Sequence, residues 1–201
     1  MKFTQTFGLA AILASAASAL PTTMRSTNGT SSSGGSSSGS SSGGGVTIIN
    51  NMEDTMYLWS VANSADAPMV TLGQGETYSE NWRLNPDGGG ISIKMATTPS
   101  QADVLQYEYT LVDPVIYWDL SCINMGTNSE FTKVGFAVTS DNPNCQSATC
   151  APGDTACADA YLFPTDDQAT HGCQASTHMT LNIGSGSSSG SSSGSTNSSS
   201  S

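Results

Sequence analysis

Residues 105–121, LQYEYTLVDPVIYWDLS, decide the fold. Leu105, Tyr107, Tyr109 and Leu111 alternate with Gln106, Glu108 and Thr110, and residues 115–120 form a second candidate strand beyond the turn material Asp113-Pro114. A period of two places one side of each strand in a core and the other toward water. Working outward, Ile91, Ile93 and Met95 alternate with Ser92 and Lys94. Further strands are expected at residues 46–50, 55–61, 69–72, 76–82, 133–139 and 178–183, separated by turn sequences such as Gly73-Gln74-Gly75 and Asn85-Pro86-Asp87-Gly88. Short strands at this spacing predict an all-β, antiparallel sandwich. No stretch carries a sustained apolar stripe at helical spacing, so helix is expected only as a turn or two within residues 154–161, tied down by Cys157.

The flanks read differently. Residues 1–19 pair Lys2 with an apolar run from Phe7 to Ala17 and the small-residue sequence Ala17-Ser18-Ala19, the pattern of a cleavable signal peptide. That run is too short to cross a bilayer, and no membrane span is expected elsewhere. Residues 20–45 and 184–201 are rich in Ser and Gly, and such segments bury too little apolar surface to offset the entropy of ordering. The foldable domain is therefore placed at residues 46–183. Sequons at Asn28 and Asn197 lie in the flanks and predict N-glycosylation there. The polar C-terminal sequence predicts no lipid anchor.

Sixteen acidic residues fall in the domain against three cations, Arg83, Lys94 and Lys133, a formal charge of −13. Nucleic acid and anionic membrane are excluded as partners by repulsion. Five cysteines remain, and in a secreted chain Cys145, Cys150, Cys157 and Cys173 are expected to form two local bridges. Their spacing does not fit a zinc site, and no metal or other cofactor is expected.

Tyr57-Leu-Trp-Ser-Val61, Gly90-Ile-Ser-Ile-Lys94, Gln106-Tyr-Glu-Tyr-Thr110 and Tyr117-Trp-Asp-Leu-Ser121 follow one another in an order that resembles the small fungal secreted thaumatin-like proteins, the group of the Blastomyces yeast-phase-specific antigen. The cysteine-rich stretch from Asn144 to Cys173, with Ala160-Tyr-Leu-Phe-Pro164 inside it, is similar to the C-terminal half of many members. The resemblance implies a thaumatin-like sandwich, secretion to the medium or cell wall, and a wall-associated or antigenic role without established chemistry. It also implies a cysteine at the end of the last strand. Here that run is Leu181-Asn182-Ile183-Gly184, which accounts for the odd cysteine count and leaves Cys122 as the candidate unpaired thiol. Larger plant relatives carry an acidic cleft for β-1,3-glucan built from one arginine and several carboxylates. Arg83 is the domain's one arginine, with Glu76, Glu80 and Asp87 near it in sequence, an arrangement that equally fits a surface ion-pair cluster.

Three chemistries follow from these residues. Glycan binding, with fungal wall β-glucan as the expected partner, would use Tyr57, Trp82 and Arg83 with an acidic groove. Glycoside hydrolysis would need two carboxyls facing one cleft, and Glu108 and Asp119, held inside aromatic strands, are the candidates. An effector or antigen that binds a host or competitor protein is compatible with the same sequence. Serine hydrolysis lacks a Gly-x-Ser-x-Gly at a strand-to-helix turn, the abundant serines lying in the Ser/Gly-rich segments, and calcium lacks the twelve-residue loop pattern. The two histidines, His171 and His178, give no metal signature, and a copper-dependent polysaccharide oxygenase would need histidine where cleavage after Ala19 leaves Leu20.

Overall fold

The computed structural model describes residues 43–63, 67–166 and 168–184. The signal peptide, most of the leading Ser/Gly-rich segment, the tail beyond Gly184, and both sequon asparagines, Asn28 and Asn197, lie outside them. Along the chain run β1 (Gly45–Asn50), β2 (Met56–Val61), β3 (Val70–Leu72), β4 (Thr77–Asn81), β5 (Ile91–Ala96), β6 (Leu105–Val112), β7 (Val115–Ser121), α1 (Glu130–Val134), β8 (Phe136–Ser140), β9 (Ala148–Cys150), β10 (His171–Gln174) and β11 (His178–Ile183). No helix among the described residues is long and apolar enough to cross a membrane.

The strands form two sheets, ordered β4-β1-β11-β8-β9 and β10-β7-β6-β5-β2-β3. Every pairing is antiparallel except β1 with β11, where the two ends of the domain run side by side. The alternation read from the sequence is the alternation observed. Tyr107, Tyr109, Ile116, Trp118 and Leu120 turn inward with Ile91, Ile93 and Met95, and meet Ile48, Val138, Met179 and Leu181 from the other sheet in one buried core. Glu108, Tyr117 and Asp119 turn outward, whereas Gln106 on the same face is buried and hydrogen-bonded to Ser92, Ser121 and Asn124. A second apolar cluster, Trp59, Ala96 and Val104 with Tyr57 and Val61, covers one end of the outer face of the six-stranded sheet.

Helix is found where it was not expected. The anticipated strand at residues 133–139 begins only at Phe136, because residues 130–134 form α1 with Phe131 buried beneath it. Gly135 closes the helix at φ 72°, and a Cβ there would sit 2.8 Å from the Cys150 carbonyl oxygen. Residues 154–161, expected to hold the helical turns, are instead bends and turns. There the backbone N–H of Ala156 donates to Asp154 Oδ1, and the loop is closed by the Cys150–Cys157 disulfide. Two short strands, β9 and β10, were not anticipated.

The second disulfide, Cys145–Cys173, ties the loop after β8 to β10. Cys122 is free and half-buried just beyond β7, and burial pushes its thiol up to about 11, which keeps it protonated at neutral pH. Replacing Cys150 and Cys157 together by Ser is expected to lower the unfolding free energy by about 2 kcal/mol, read as a shift in urea midpoint. The loop is short, so less chain entropy is released than a long bridge would release.

Candidate functional site

Glu108 on β6 and Asp119 on β7 are direct partners across an antiparallel pair, and Ser92 on β5 stands opposite Glu108. Directly opposed residues have Cβ atoms about 5 Å apart. All three point away from the core, and with Thr110, Tyr117 and Thr170 they line a cavity of about 470 Å³ on the outer face of the six-stranded sheet. Gly90 forms part of the rim, where a Cβ would lie 2.8 Å from Thr110 Oγ1 and 2.9 Å from the Tyr109 carbonyl oxygen. Only glycine lets the chain pass that close without displacing β6.

Burial, and then the neighbouring Glu108, raise Asp119 from 3.8 to about 7. Glu108 is also raised by burial, partly offset by the neighbouring Ser92 hydroxyl and by the charge of Lys94. Oδ1 of Asp119 is buried and makes no hydrogen bond within the described residues. Burial and the opposed Glu108 keep Asp119 protonated at mildly acidic pH. The groove then offers an acid O–H as donor and the carboxyl oxygens of Glu108 as acceptors, with the hydroxyls of Ser92, Thr110 and Thr170 beside them.

This arrangement has a consequence for stability. An Asp119 protonated in the fold but ionised in the unfolded chain contributes stability that is fully present below about pH 4 and is lost as pH rises through about 7. Solvent at the groove mouth reduces the full linkage value of about 4 kcal/mol to about 2. Asp119→Asn is therefore expected to be about 2 kcal/mol more stable than the parent at pH 8, with a flatter profile between pH 4 and 8, measured by denaturant unfolding.

The structure separates the other sequence candidates. Tyr57 faces outward on β2, opposite Ala96, at the apolar end of the same sheet face. Trp82 turns inward. Its Nε1–H donates to the Thr177 carbonyl at 3.1 Å, and its ring stacks on Tyr107 at 6.4 Å and tilts against Tyr109 at 4.8 Å. Arg83 donates to the Ser60 hydroxyl at 2.8 Å and to the Ser60 carbonyl oxygen at 3.3 Å, with Glu80 3.8 Å from its Nε. Tyr57, Trp82 and Arg83 thus do not form one surface.

The carboxylates near Arg83 in sequence are also engaged elsewhere. Glu80 accepts hydrogen bonds from the hydroxyls of Tyr78 and Tyr109, Glu76 accepts the Gly73 N–H, and Asp87 accepts from Asn63 Nδ2. The pair singled out for hydrolysis, Glu108 and Asp119, is the pair that shares a cavity. Ser92, Thr110, Tyr117 and Thr170 join it without having been anticipated as site residues. The outward parity of Tyr117 with Asp119 was the available signal for one of them.

A β-sandwich of two mainly antiparallel sheets, with a disulfide-rich loop region and a small acidic groove, defines a thaumatin-like protein. The chain belongs to the family of the Blastomyces yeast-phase-specific protein, which it matches over residues 35–185. It is 43% identical over 186 residues to a secreted thaumatin-like protein of Emericella nidulans, covering 92% of this chain and 98% of that one. It is 44% identical over 126 residues to an antigenic thaumatin-like protein of Arthroderma benhamiae, covering 63% of each chain. Among solved structures, the protein elicitor MoHrip2 of Magnaporthe oryzae superposes with a TM-score of 0.57 at 25% identity, over 70% of this chain and 98% of that one. The expectations of a thaumatin-like all-β fold and of secretion therefore stand, and the protein is extracellular.

Proposed function

We propose that this secreted protein binds a neutral wall polysaccharide of the β-glucan class in the groove of Glu108 and Asp119, without cleaving it. The observation that carries the reading is the cross-strand carboxyl pair inside a polar cavity of about 470 Å³. A sugar ring presents neighbouring hydroxyls that both donate and accept, and two carboxyl groups flanked by serine and threonine hydroxyls complement them. The excess of carboxylates over cations disfavours anionic polymers and leaves neutral glycans as the matching class.

A hydrolase would have to use the same pair, since Glu108 and Asp119 rise from adjacent strands of one sheet and retaining glycosidases hold their two carboxyls about 5 Å apart, so binding and cleavage are separated by experiment. The test is retention of the purified protein on insoluble β-1,3-glucan, chitin and cellulose at pH 5, with the supernatant assayed for reducing ends. Retention by β-1,3-glucan without sugar release is expected. Passage through every polymer would refute the reading, and released sugar would establish the hydrolase instead.

A further inference from the structure

A second cavity adjoins the acidic groove, and one side chain lines both. Tyr117 on β7 borders the groove of Glu108 and Asp119 and also a recess of about 410 Å³ bounded by Gly172, Gln174, Asn142 and Asn144. Tyr117 is 44% exposed although it stands within a strand. On β10, Gly172 is its direct partner, and a Cβ there would touch ring atoms Cε1 and Cδ1 at 3.4 and 3.5 Å. The Tyr117 ring therefore lies over β10 at contact distance while the residue stays largely exposed.

We propose that Tyr117 is a stacking platform between two subsites, and that the ligand is a linear glycan of roughly three or more units spanning both cavities. The inference rests on the reading of the acidic groove as a glycan site and adds the length of the ligand and a second set of contacts. Each cavity falls in the range of a small-ligand site, roughly 300–1,000 Å³. A tyrosine face offers apolar area that packs on the C–H side of a sugar ring, with little conformational entropy to lose.

The second cavity has the chemistry for neutral hydroxyls. Asn144 and Gln174 are exposed amides, each able to donate and accept. The loop that carries Asn144 is held before any ligand arrives. Its backbone N–H donates to Asn142 Oδ1 at 3.0 Å, Asp141 Oδ1 accepts the His178 N–H at 2.9 Å, and the Cys145–Cys173 disulfide fixes the loop to β10. A wall ordered in advance leaves less entropy to be lost on binding.

The experiment compares the β-1,3-linked glucose disaccharide and hexasaccharide by titration calorimetry at pH 5 with the parent protein, Tyr117→Ala and Asn144→Ala. Both residues are exposed, so both variants are expected to keep the parent's unfolding midpoint. The parent is expected to bind the hexasaccharide about tenfold more tightly than the disaccharide. Asn144→Ala should weaken the hexasaccharide severalfold and leave the disaccharide unchanged, and Tyr117→Ala should remove most of the gain with length. Equal affinity of the parent for both sugars, or a gain with length that survives both substitutions, would overturn the two-subsite inference and leave the groove alone as the site. Absence of binding by the parent to either sugar would overturn the glycan reading itself.

Discussion

Trp118→Ala is expected to lower the unfolding free energy by about 4 kcal/mol, the largest loss from any single side chain considered, because the indole is the hub of the core. Trp118 is fully buried on a central strand. It stacks on Tyr107 at 5.8 Å with planes 8° apart and tilts against His171 at 4.5 Å, while Tyr107 continues the column to Trp82. Removing it opens a cavity that rigid neighbours on β6 and β10 cannot fill. Trp118→Phe should cost much less, since its Nε1–H is buried without a partner among the described residues and its removal relieves an unmet donor. Tyr117→Ala, one residue away but facing outward, should change stability by less than about 1 kcal/mol. Urea unfolding of the three variants separates these outcomes, and a small loss for Trp118→Ala would contradict the packing described.

Glu108→Gln combined with Asp119→Asn is expected to weaken retention on β-1,3-glucan about a hundredfold while the fold persists. Hydrogen bonds to charged groups contribute roughly 1.5–3 kcal/mol each, and the amides keep the shape of the carboxyls while losing the acid donor and the charged acceptor. The same double variant discriminates between mechanisms. In a hydrolase these substitutions would abolish turnover and preserve substrate binding, whereas in a binding groove they abolish binding. Retention measured at pH 5 against immobilised glucan, with unfolding midpoints as the control for folding, decides between the two. Unchanged retention would move the ligand away from this groove.

Much of this geometry was legible in the sequence for a definite reason. In residues 105–111 the alternation is uninterrupted and the turn to the next candidate strand is two residues long, so once that strand is its hairpin partner the register makes Glu108 and Asp119 neighbours on one face. The rest depended on tertiary packing. Trp82 follows an edge strand, and its inward turn is set by Tyr107, Tyr109 and the Thr177 carbonyl, all distant in sequence. Proximity in sequence suggested that Arg83 gathered Glu76, Glu80 and Asp87, yet only Glu80 lies beside it, and that carboxylate is shared with Tyr109 from β6, while Glu76 caps the local turn at Gly73 and Asp87 is held by Asn63. The short helix α1 and the strands β9 and β10 are too brief to show a period. The β10 sequence, HGCQ, has no strand signature, and without β10 the contact of Tyr117 with Gly172 could not be foreseen.

The central claim is that a neutral glycan occupies the outer face of the six-stranded sheet. Its most direct measurement is the mapping of backbone amide chemical shifts of the isotope-labelled protein as the β-1,3-linked glucose hexasaccharide is added at pH 5. Shifts concentrated at Ser92, Glu108, Thr110, Tyr117 and Asp119, continuing to Gly172 and Asn144, are the expected result. Shifts confined to the opposite sheet or to the surroundings of Arg83, or none at saturating sugar, would contradict it.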